Sequence, residues 1–199
     1  MDNIPLFSLP KFVVLPGIVL PLRIFEPRYV QMIEVVIKSN PQYLVMSQMN
    51  PKDDMDYYLS PEFEKMGCLT EVIQSDRNKD GTYEIMVVGL ERVMIEERSS
   101  SDENLYRSVN VEVLPYSDPD GDLDKFIREH RDHFLVECES IGVHKDLVKL
   151  FQKYDEGMLS SRACLHIIIY FFTKDPIQLQ ELLNEDSNES LIGLTLDLI

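Results

Sequence analysis

The spacing of the apolar residues changes near Tyr116, and this change constrains the fold more than any other feature. Before Tyr116, apolar segments are short, rich in β-branched residues and separated by Pro, Gly, Asn and Asp, as in strands and turns. After it, apolar residues recur at helical spacing. The acidic segment 117–122 between the two parts is turn-forming. We therefore predict a β-rich domain over residues 1–116 and a helical-bundle domain over residues 117–199.

The first half is predicted to form a small, mostly antiparallel barrel with one inserted helix, because its strands do not alternate with helices. The helix covers residues 27–38, since Pro27 suits the first helical position. Asp80-Gly81 predicts a hairpin turn, and the polar segments 50–64 and 99–103 are predicted to be exposed loops. Strands are expected at residues 4–7, 12–15, 43–46, 69–73, 83–88, 93–95 and 109–114.

The second half is predicted to be a bundle of helices, which makes the whole chain an α+β protein. The segment 163–172 is apolar on nearly every side, so we expect it to be the central helix. Asp186 and Glu189 have the spacing of a capping box at the start of the last helix. The helices are expected at residues 123–140, 144–155, 158–172, 176–184 and 187–198.

The chain is strongly acidic: 19 Lys and Arg against 35 Asp and Glu give a formal net charge of −16. Such a surface repels phosphate backbones, so nucleic acid is not an expected partner. The arginines that could contact nucleic acid are scattered singly among acidic residues and do not form a basic patch. These arginines are Arg23, Arg28, Arg92, Arg98 and Arg107.

Neither a membrane nor an oxidising compartment is expected for this chain. The longest apolar run without a charge, residues 12–22, has eleven residues and is interrupted by prolines, so it is too short and too broken to span a bilayer. Three widely spaced cysteines without a CxxC pair indicate reduced thiols, not a disulfide framework. We therefore expect a cytoplasmic protein.

No motif for nucleotide binding, hydrolysis or metal binding is complete in the sequence. Residues 76–81 match the start of a calcium loop, but the position of its bidentate Glu is Val87, so a hairpin turn explains them better. His130, His133 and Cys138 share helical spacing but lack a fourth zinc ligand. We predict no catalytic residue, metal or cofactor, while an enzyme that uses a cysteine or histidine stays open as an alternative.

Several sequence elements together are similar to one protein family. These are IPLFSL at residues 4–9, VVLPG at 13–17, LPLRIFEPRY at 20–29, VGLER at 88–92 and QELLNED at 180–186. In this order and at this spacing they resemble the N-terminal domain of the ATP-dependent protease Lon (protease La). The resemblance covers nearly the whole chain and is most specific in the first thirty residues.

The resemblance implies a PUA-like β-barrel followed by a helical bundle, and a role in binding substrate proteins. In full-length Lon the ATPase and the Ser–Lys protease lie further along the chain. These 199 residues contain no Walker motif, so neither activity is carried over, and we expect a stand-alone, non-enzymatic recognition module. Its expected partners are unfolded or exposed apolar protein segments, together with a protease or chaperone. RNA binding is the alternative, because other PUA-like barrels bind RNA, but the net charge opposes it.

The expected peptide-binding surface surrounds the start of the first helix. Nine Met and nine Phe without a Trp make the chain rich in adaptable apolar side chains, which suit promiscuous binding. The alternative is that the FEPRY segment is structural, with Pro27 opening the helix and Glu26 near its positive end. The candidate binding residues are Phe25, Arg28, Tyr29, Met32 and Met46.

Overall fold

The computed structural model describes residues 1–58, 61–97 and 104–198, which form two compact units. The first unit, Met1–Leu114, contains all the described strands and two helices, α1 (Pro27–Val36) and α2 (Asp54–Tyr58). Its strands are β1 (Ile4–Pro10), β2 (Val19–Ile24), β3 (Tyr43–Asn50), β4 (Glu62–Phe63), β5 (Met66–Arg77), β6 (Tyr83–Glu97) and β7 (Ser108–Val113).

The sheet of the first unit closes into a barrel. Its strands follow the order β1-β7-β6-β5-β3, and β3 pairs with β1 to complete the ring. The β1–β3 pair is parallel and the other pairs are antiparallel, while β2 joins the first part of β6 from outside the ring. The predicted antiparallel barrel with an inserted helix is therefore confirmed. Its core contains Leu6, Val45, Leu69, Val93, Ile95, Val109 and Val111.

The strand predicted at residues 12–15 is wrong. Val13, Val14 and Leu15 are buried, but their backbone makes no strand ladder. The chain turns directly after them at Gly17, where φ is +89°, and this backbone is held against β6 instead. Gly17 N–H donates to Gly89 O at 2.8 Å, and Gly89 N–H donates to Ile18 O at 2.9 Å. These apolar residues are therefore buried because their loop packs against β6, not because they pair as a strand.

The loop predicted over residues 50–64 is also partly wrong, because it contains α2 and β4. The side chain of Asp53 caps the short helix: its Oδ1 accepts hydrogen bonds from the backbone N–H groups of Met55 and Asp56 at 2.9 and 2.8 Å. Phe63 then pairs with Met49 and packs against the barrel core. The loop predicted over residues 99–103 lies outside the described residues.

Helix α1 has the predicted apolar stripe and begins at Pro27, but it ends at Val36, two residues earlier than predicted. Tyr29, Met32, Ile33 and Val36 are buried on this stripe. The helix is therefore fastened to the barrel by one continuous apolar face.

The second unit begins at Pro115 and contains five helices among the described residues. The predicted central helix, α5, packs against α3, α4 and α7, which confirms the bundle. Among the residues described, no helix combines the length and apolar character needed to cross a membrane. The helices are α3 (Gly121–Ser140), α4 (His144–Asp155), α5 (Ser161–Phe172), α6 (Pro176–Asn184) and α7 (Asn188–Leu198).

A buried polar network joins the start of this unit to its last helix. Arg162 is buried, with its guanidinium 3.8 Å from the ring centroid of Tyr116 and its Nη2 donating to Asn188 Oδ1 at 2.6 Å. The side chain of Asn188 in turn donates to Pro119 O at 2.8 Å. The segment 117–122, predicted from its composition to form turns between the two parts, is thus tied to α7 by hydrogen bonds.

The capping box predicted with Asp186 and Glu189 is wrong, because the N-cap hydroxyl belongs to the next residue, Ser187. Helix α7 begins at Asn188, and the hydroxyl of Ser187 accepts a hydrogen bond from the Ser190 N–H at 3.2 Å. Asp186 instead has its backbone carbonyl directed at Arg162. A hydroxyl at the N-cap position satisfies the same free N–H group that a carboxylate would.

Candidate functional site: a groove across three strands

A groove of about 380 Å³ lies on the first unit, where β2, β6 and β5 run side by side. Pro21 pairs with Met86, and Met86 pairs on its other side with Gln74. Two residues further along the strands, Arg23 pairs with Glu84, which pairs with Asp76. The groove is lined by Pro21, Leu22 and Arg23 from β2, by Gln74 and Asp76 from β5, and by Glu84, Ile85 and Met86 from β6.

One part of this outer sheet face is apolar. Pro21 is exposed and Met86 is half-buried at the groove, and Val19, two residues before Pro21 on the same strand, is 47% exposed. The register shift between Val72 and Gln74 leaves Ile73 54% exposed beside them. The alternate residues Ile85 and Val87 point into the protein and are buried. Apolar side chains therefore lie on both faces of β6, and Met86 on the outer face is only half-buried.

The other part of the groove is charged. Asp76 accepts a hydrogen bond from Gln74 Nε2 at 2.9 Å, and Arg23 lies 3.5 Å from Asp80 in the hairpin turn. Hydrogen bonds from Thr82, and then the Arg23 charge, lower the pKa of Asp80, so this carboxylate is ionised at neutral pH. The groove is thus bordered by carboxylates beside an apolar floor.

The five residues predicted from the sequence to bind peptides lie at the start of α1 and in β3, and most of them are buried. Phe25 is 65% exposed and Arg28 is half-buried. The other three, Tyr29, Met32 and Met46, belong to the core, with exposed fractions of 4%, 0% and 3%. Their part in peptide binding stays a prediction, and burial limits direct surface contact to Phe25 and the open edge of Arg28.

Arg28 is held in a cluster with Glu26, Tyr29 and Tyr57. Its guanidinium carbon lies 4.6 Å from the ring centroid of Tyr29 and 4.8 Å from that of Tyr57. Its Nε donates to Glu26 Oε2 at 3.1 Å, and the Tyr57 hydroxyl donates to the other carboxylate oxygen at 2.6 Å. Burial, and then the hydrogen bond to Glu26, raises the pKa of Tyr57 to about 12, so the phenol remains a donor at neutral pH. The Glu26 carboxylate thus binds these side chains and does not cap α1.

Replacing Arg28 with methionine tests whether this cluster serves the fold. Methionine keeps the apolar stem but loses two partly exposed cation–π contacts and an ion pair, so we expect a loss of about 1–2 kcal/mol in unfolding free energy. Urea denaturation measures it, with Arg77→Met as the control, because Arg77 is exposed and lies 3.6 Å from Glu34. Unchanged stability with weaker peptide binding would instead identify Arg28 as a binding residue.

Tyr29, in the FEPRY element, has a structural role. Its hydroxyl donates to the backbone carbonyl of Ser8 in β1, and its ring packs edge-on to Phe7 with 4.4 Å between centroids. Burial raises the pKa of this hydroxyl, which therefore stays protonated and keeps the hydrogen bond. The residue joins α1 to the barrel wall.

The arginines considered for nucleic-acid binding contact protein groups. Arg92 is buried and its Nε donates to Leu114 O at 3.2 Å. Arg107 donates to Pro61 O at 2.7 Å, with its guanidinium 4.5 Å from the ring centroid of Phe63. Arg98 lies outside the described residues. The remaining two, Arg23 and Arg28, are in the ion pairs given above.

The histidines considered for metal binding or nucleophilic catalysis contact other protein groups. Within residues 1–58, 61–97 and 104–198, no group of three or more His, Cys, Asp and Glu could hold a metal ion. His144 Nδ1 lies 3.1 Å from Leu135 O, and the ring of His130 packs on Phe126 with 4.3 Å between centroids. Residues 78–82 form the predicted hairpin turn, with Gly81 at a φ of +87°.

The groove was missed because β2 was not predicted. The segment 19–24 is apolar at every position except Arg23, so its sequence has no alternation that would indicate which face is exposed. One signal was present: residues 85–88 are all apolar in a strand of an antiparallel hairpin. Such a run indicates that the second face is covered by something or is available for binding.

Comparison with known proteins identifies a family over nearly the whole chain and relatives over more than half of it. The family model of the ATP-dependent protease La (LON) substrate-binding domain matches residues 3–199. The Lon protease of Rhizobium meliloti (strain 1021) is 28% identical over 119 residues, which are 58% of this chain and 14% of that protein. The Lon protease of Buchnera aphidicola subsp. Schizaphis graminum (strain Sg) is 25% identical over 113 residues, 57% of this chain and 14% of that protein. The match thus spans about a seventh of each curated relative.

A solved structure shows the same fold. The N-terminal domain of the Mycobacterium avium complex Lon protease superposes with a TM-score of 0.69 at 16% identity, covering 98% of this chain and 97% of that domain. The two chains therefore share the β-barrel and the helical region that follows it.

Proposed function

Because the chain belongs to the family of the Lon substrate-binding domain, we propose that it is a non-catalytic recognition module for unfolded or exposed apolar protein segments. The observation that carries this proposal is the apolar floor of the groove, where the exposed Pro21 and the half-buried Met86 lie beside the exposed Val19 and Ile73. A groove of about 380 Å³ is within the size range of ligand sites in proteins. An open groove suits a peptide better than a small enclosed ligand.

Two further observations support recognition without catalysis. The three cysteines are unpaired and buried, and burial raises the pKa of Cys138 to about 11 and that of Cys164 to about 12. A thiol that is protonated at neutral pH is a poor nucleophile. The matched family is the substrate-binding domain, and the 199 residues contain no phosphate-binding loop.

The proposal includes a partner and a compartment. Since the curated relatives are Lon proteases, the bound segments would be passed to a protease or a chaperone. Unpaired cysteines are consistent with action in the cytoplasm. RNA is not included, because the net charge of −16 opposes it and the described arginines of the barrel contact protein groups.

Replacing Met86 with serine tests the groove. Burying part of a methionine side chain against a ligand contributes about 1–2 kcal/mol, so affinity for a permanently unfolded polypeptide should fall about fivefold to thirtyfold. Fluorescence anisotropy of the labelled polypeptide measures the affinity, and circular dichroism verifies that the variant is folded. Leu196→Ser, which removes an exposed apolar side chain in the second unit, is the matched control and should bind as the parent does.

Three additional samples separate the alternatives. Phe25→Ser tests the surface predicted from the sequence: a loss of binding in this variant alone would place the site at the start of α1, and unchanged binding would leave the groove as the site. A folded control protein should not bind. Saturable binding of single-stranded RNA, with an affinity that falls steeply with salt, would favour the RNA-binding alternative. Absence of saturable binding to the unfolded polypeptide would reject the proposal.

A further inference from the structure

We propose that the groove selects apolar segments that carry a lysine or arginine two residues from an apolar side chain. This inference rests on the proposed function, and it adds the chemistry of the preferred ligand. It follows from the carboxylates that border the groove and from the register that places them beside the apolar floor.

Two of these carboxylates face each other across adjacent strands. Asp76 in β5 pairs with Glu84 in β6, and both residues are exposed. Like charges directly opposite in an antiparallel pair are unfavourable. Among the described residues, neither Asp76 nor Glu84 forms an ion pair, and Asp76 accepts only the hydrogen bond from Gln74. The groove therefore ends in a carboxylate pair that a cation from a ligand would relieve.

The two arginines next to this pair in the described sheet, Arg23 and Arg77, form ion pairs with other carboxylates. Arg23 pairs with Glu84 in register, but its guanidinium lies 3.5 Å from Asp80 in the hairpin turn. Arg77 lies 3.6 Å from Glu34, with its guanidinium over the ring of Tyr83. A ligand cation would thus meet two carboxylates with which neither arginine forms an ion pair, and the net charge of −16 would also attract basic segments at long range.

The sheet register defines the spacing of the ligand residues. The pair Pro21–Met86 and the pair Arg23–Glu84 are two residues apart along the strands, which is about 7 Å. Side chains two residues apart in an extended peptide lie on the same face at the same distance. An extended segment with an apolar residue and a Lys or Arg two positions away would contact both parts of the groove at once.

Three labelled peptides of equal length test this inference by fluorescence anisotropy. The first repeats Leu-Ser-Lys-Ser, the second replaces each Lys by Glu, and the third replaces each Leu by Ser. We expect the first peptide to bind about threefold to thirtyfold more tightly than the second, which corresponds to two exposed ion pairs. The third should bind weakly, because it lacks the apolar contacts.

Variants with matched charge changes locate the effect. Asp76→Asn together with Glu84→Gln should reduce the preference for the lysine peptide to about twofold or less, since both ion pairs are lost. Glu96→Gln together with Glu112→Gln changes the net charge equally, at exposed positions far along β6 and β7, and should retain the preference. An equal loss in both double variants would overturn the inference, because the selectivity would then come from total charge.

The outcomes separate this inference from the proposed function. If both leucine peptides bind equally and Met86→Ser weakens both, the recognition module stands and the charge preference is rejected. If the serine-substituted peptide binds as tightly as the lysine–leucine peptide, the groove is only an acidic surface and the inference is overturned. If no peptide binds, the proposed function itself is rejected and the inference with it.

Discussion

Replacing Met32 with aspartate is expected to unfold the barrel unit or to reduce its unfolding free energy by roughly 4 kcal/mol or more. Met32 has an exposed fraction of 0% and lies between Tyr29, Ile33 and Val36 on the buried stripe of α1. The substitution removes buried apolar volume and places a carboxylate where water cannot reach it. Urea denaturation followed by circular dichroism measures the loss.

Val35→Asp is the control for this prediction. Val35 lies on the same helix but is 48% exposed, so the same new charge should change the unfolding free energy by about 0.5 kcal/mol or less. If Met32→Asp were as stable as the parent but bound peptides weakly, Met32 would be a binding residue, as the sequence predicted, and its burial would not be needed for the fold.

Replacing Gly89 with alanine is expected to destabilise the barrel by about 3 kcal/mol or more. A Cβ atom at this position would overlap the carbonyl oxygen of Leu15 and lie 3.1 Å from Cys68 Sγ. The carbonyl belongs to a loop fastened to Gly89 by two backbone hydrogen bonds, so the loop cannot move away without losing them. Thermal and urea denaturation of the variant measure the effect.

Gly193→Ala provides the matched comparison. Gly193 lies in α7, and a Cβ atom there would have no neighbour within 4 Å. Alanine is the better helix former by about 1 kcal/mol, so this variant should be equally or slightly more stable than the parent. A tolerated Gly89→Ala would contradict the close approach of the two backbones and would leave the VVLPG and VGLER elements without this structural explanation.

Secondary structure was predictable wherever its cause is local. The turn at Asp80-Gly81 requires a positive φ at Gly81, and Pro27 and Pro176 both begin helices, as expected from the fixed φ of proline. The helical spacing after Tyr116 correctly indicated a bundle with a central apolar helix. These features depend on a few neighbouring residues, which a sequence displays directly.

Prediction failed where distant residues decide the outcome. Residues 12–15 have the composition of a strand, yet their backbone forms no ladder because the loop is docked on β6 at Gly89. Asp186 and Ser187 could each have capped α7, but the Asp186 carboxylate accepts a hydrogen bond from the Ser117 hydroxyl at 2.5 Å and Ser187 takes the N-cap position. In both cases a partner far along the chain selected between locally equivalent possibilities.

For the candidate site too, local sequence was informative and long-range packing was not predictable. Residue type and spacing were enough to indicate the Lon-like family, the barrel, the bundle and a chain rich in adaptable apolar side chains. Whether a particular methionine is buried or open depends on what packs over it: α1 covers the barrel and buries Met32, while the outer face of β6 beside β2 leaves Met86 at a groove. Composition and periodicity report how much apolar surface a chain carries. Long-range strand and helix packing determines which part of that surface remains exposed to meet another protein.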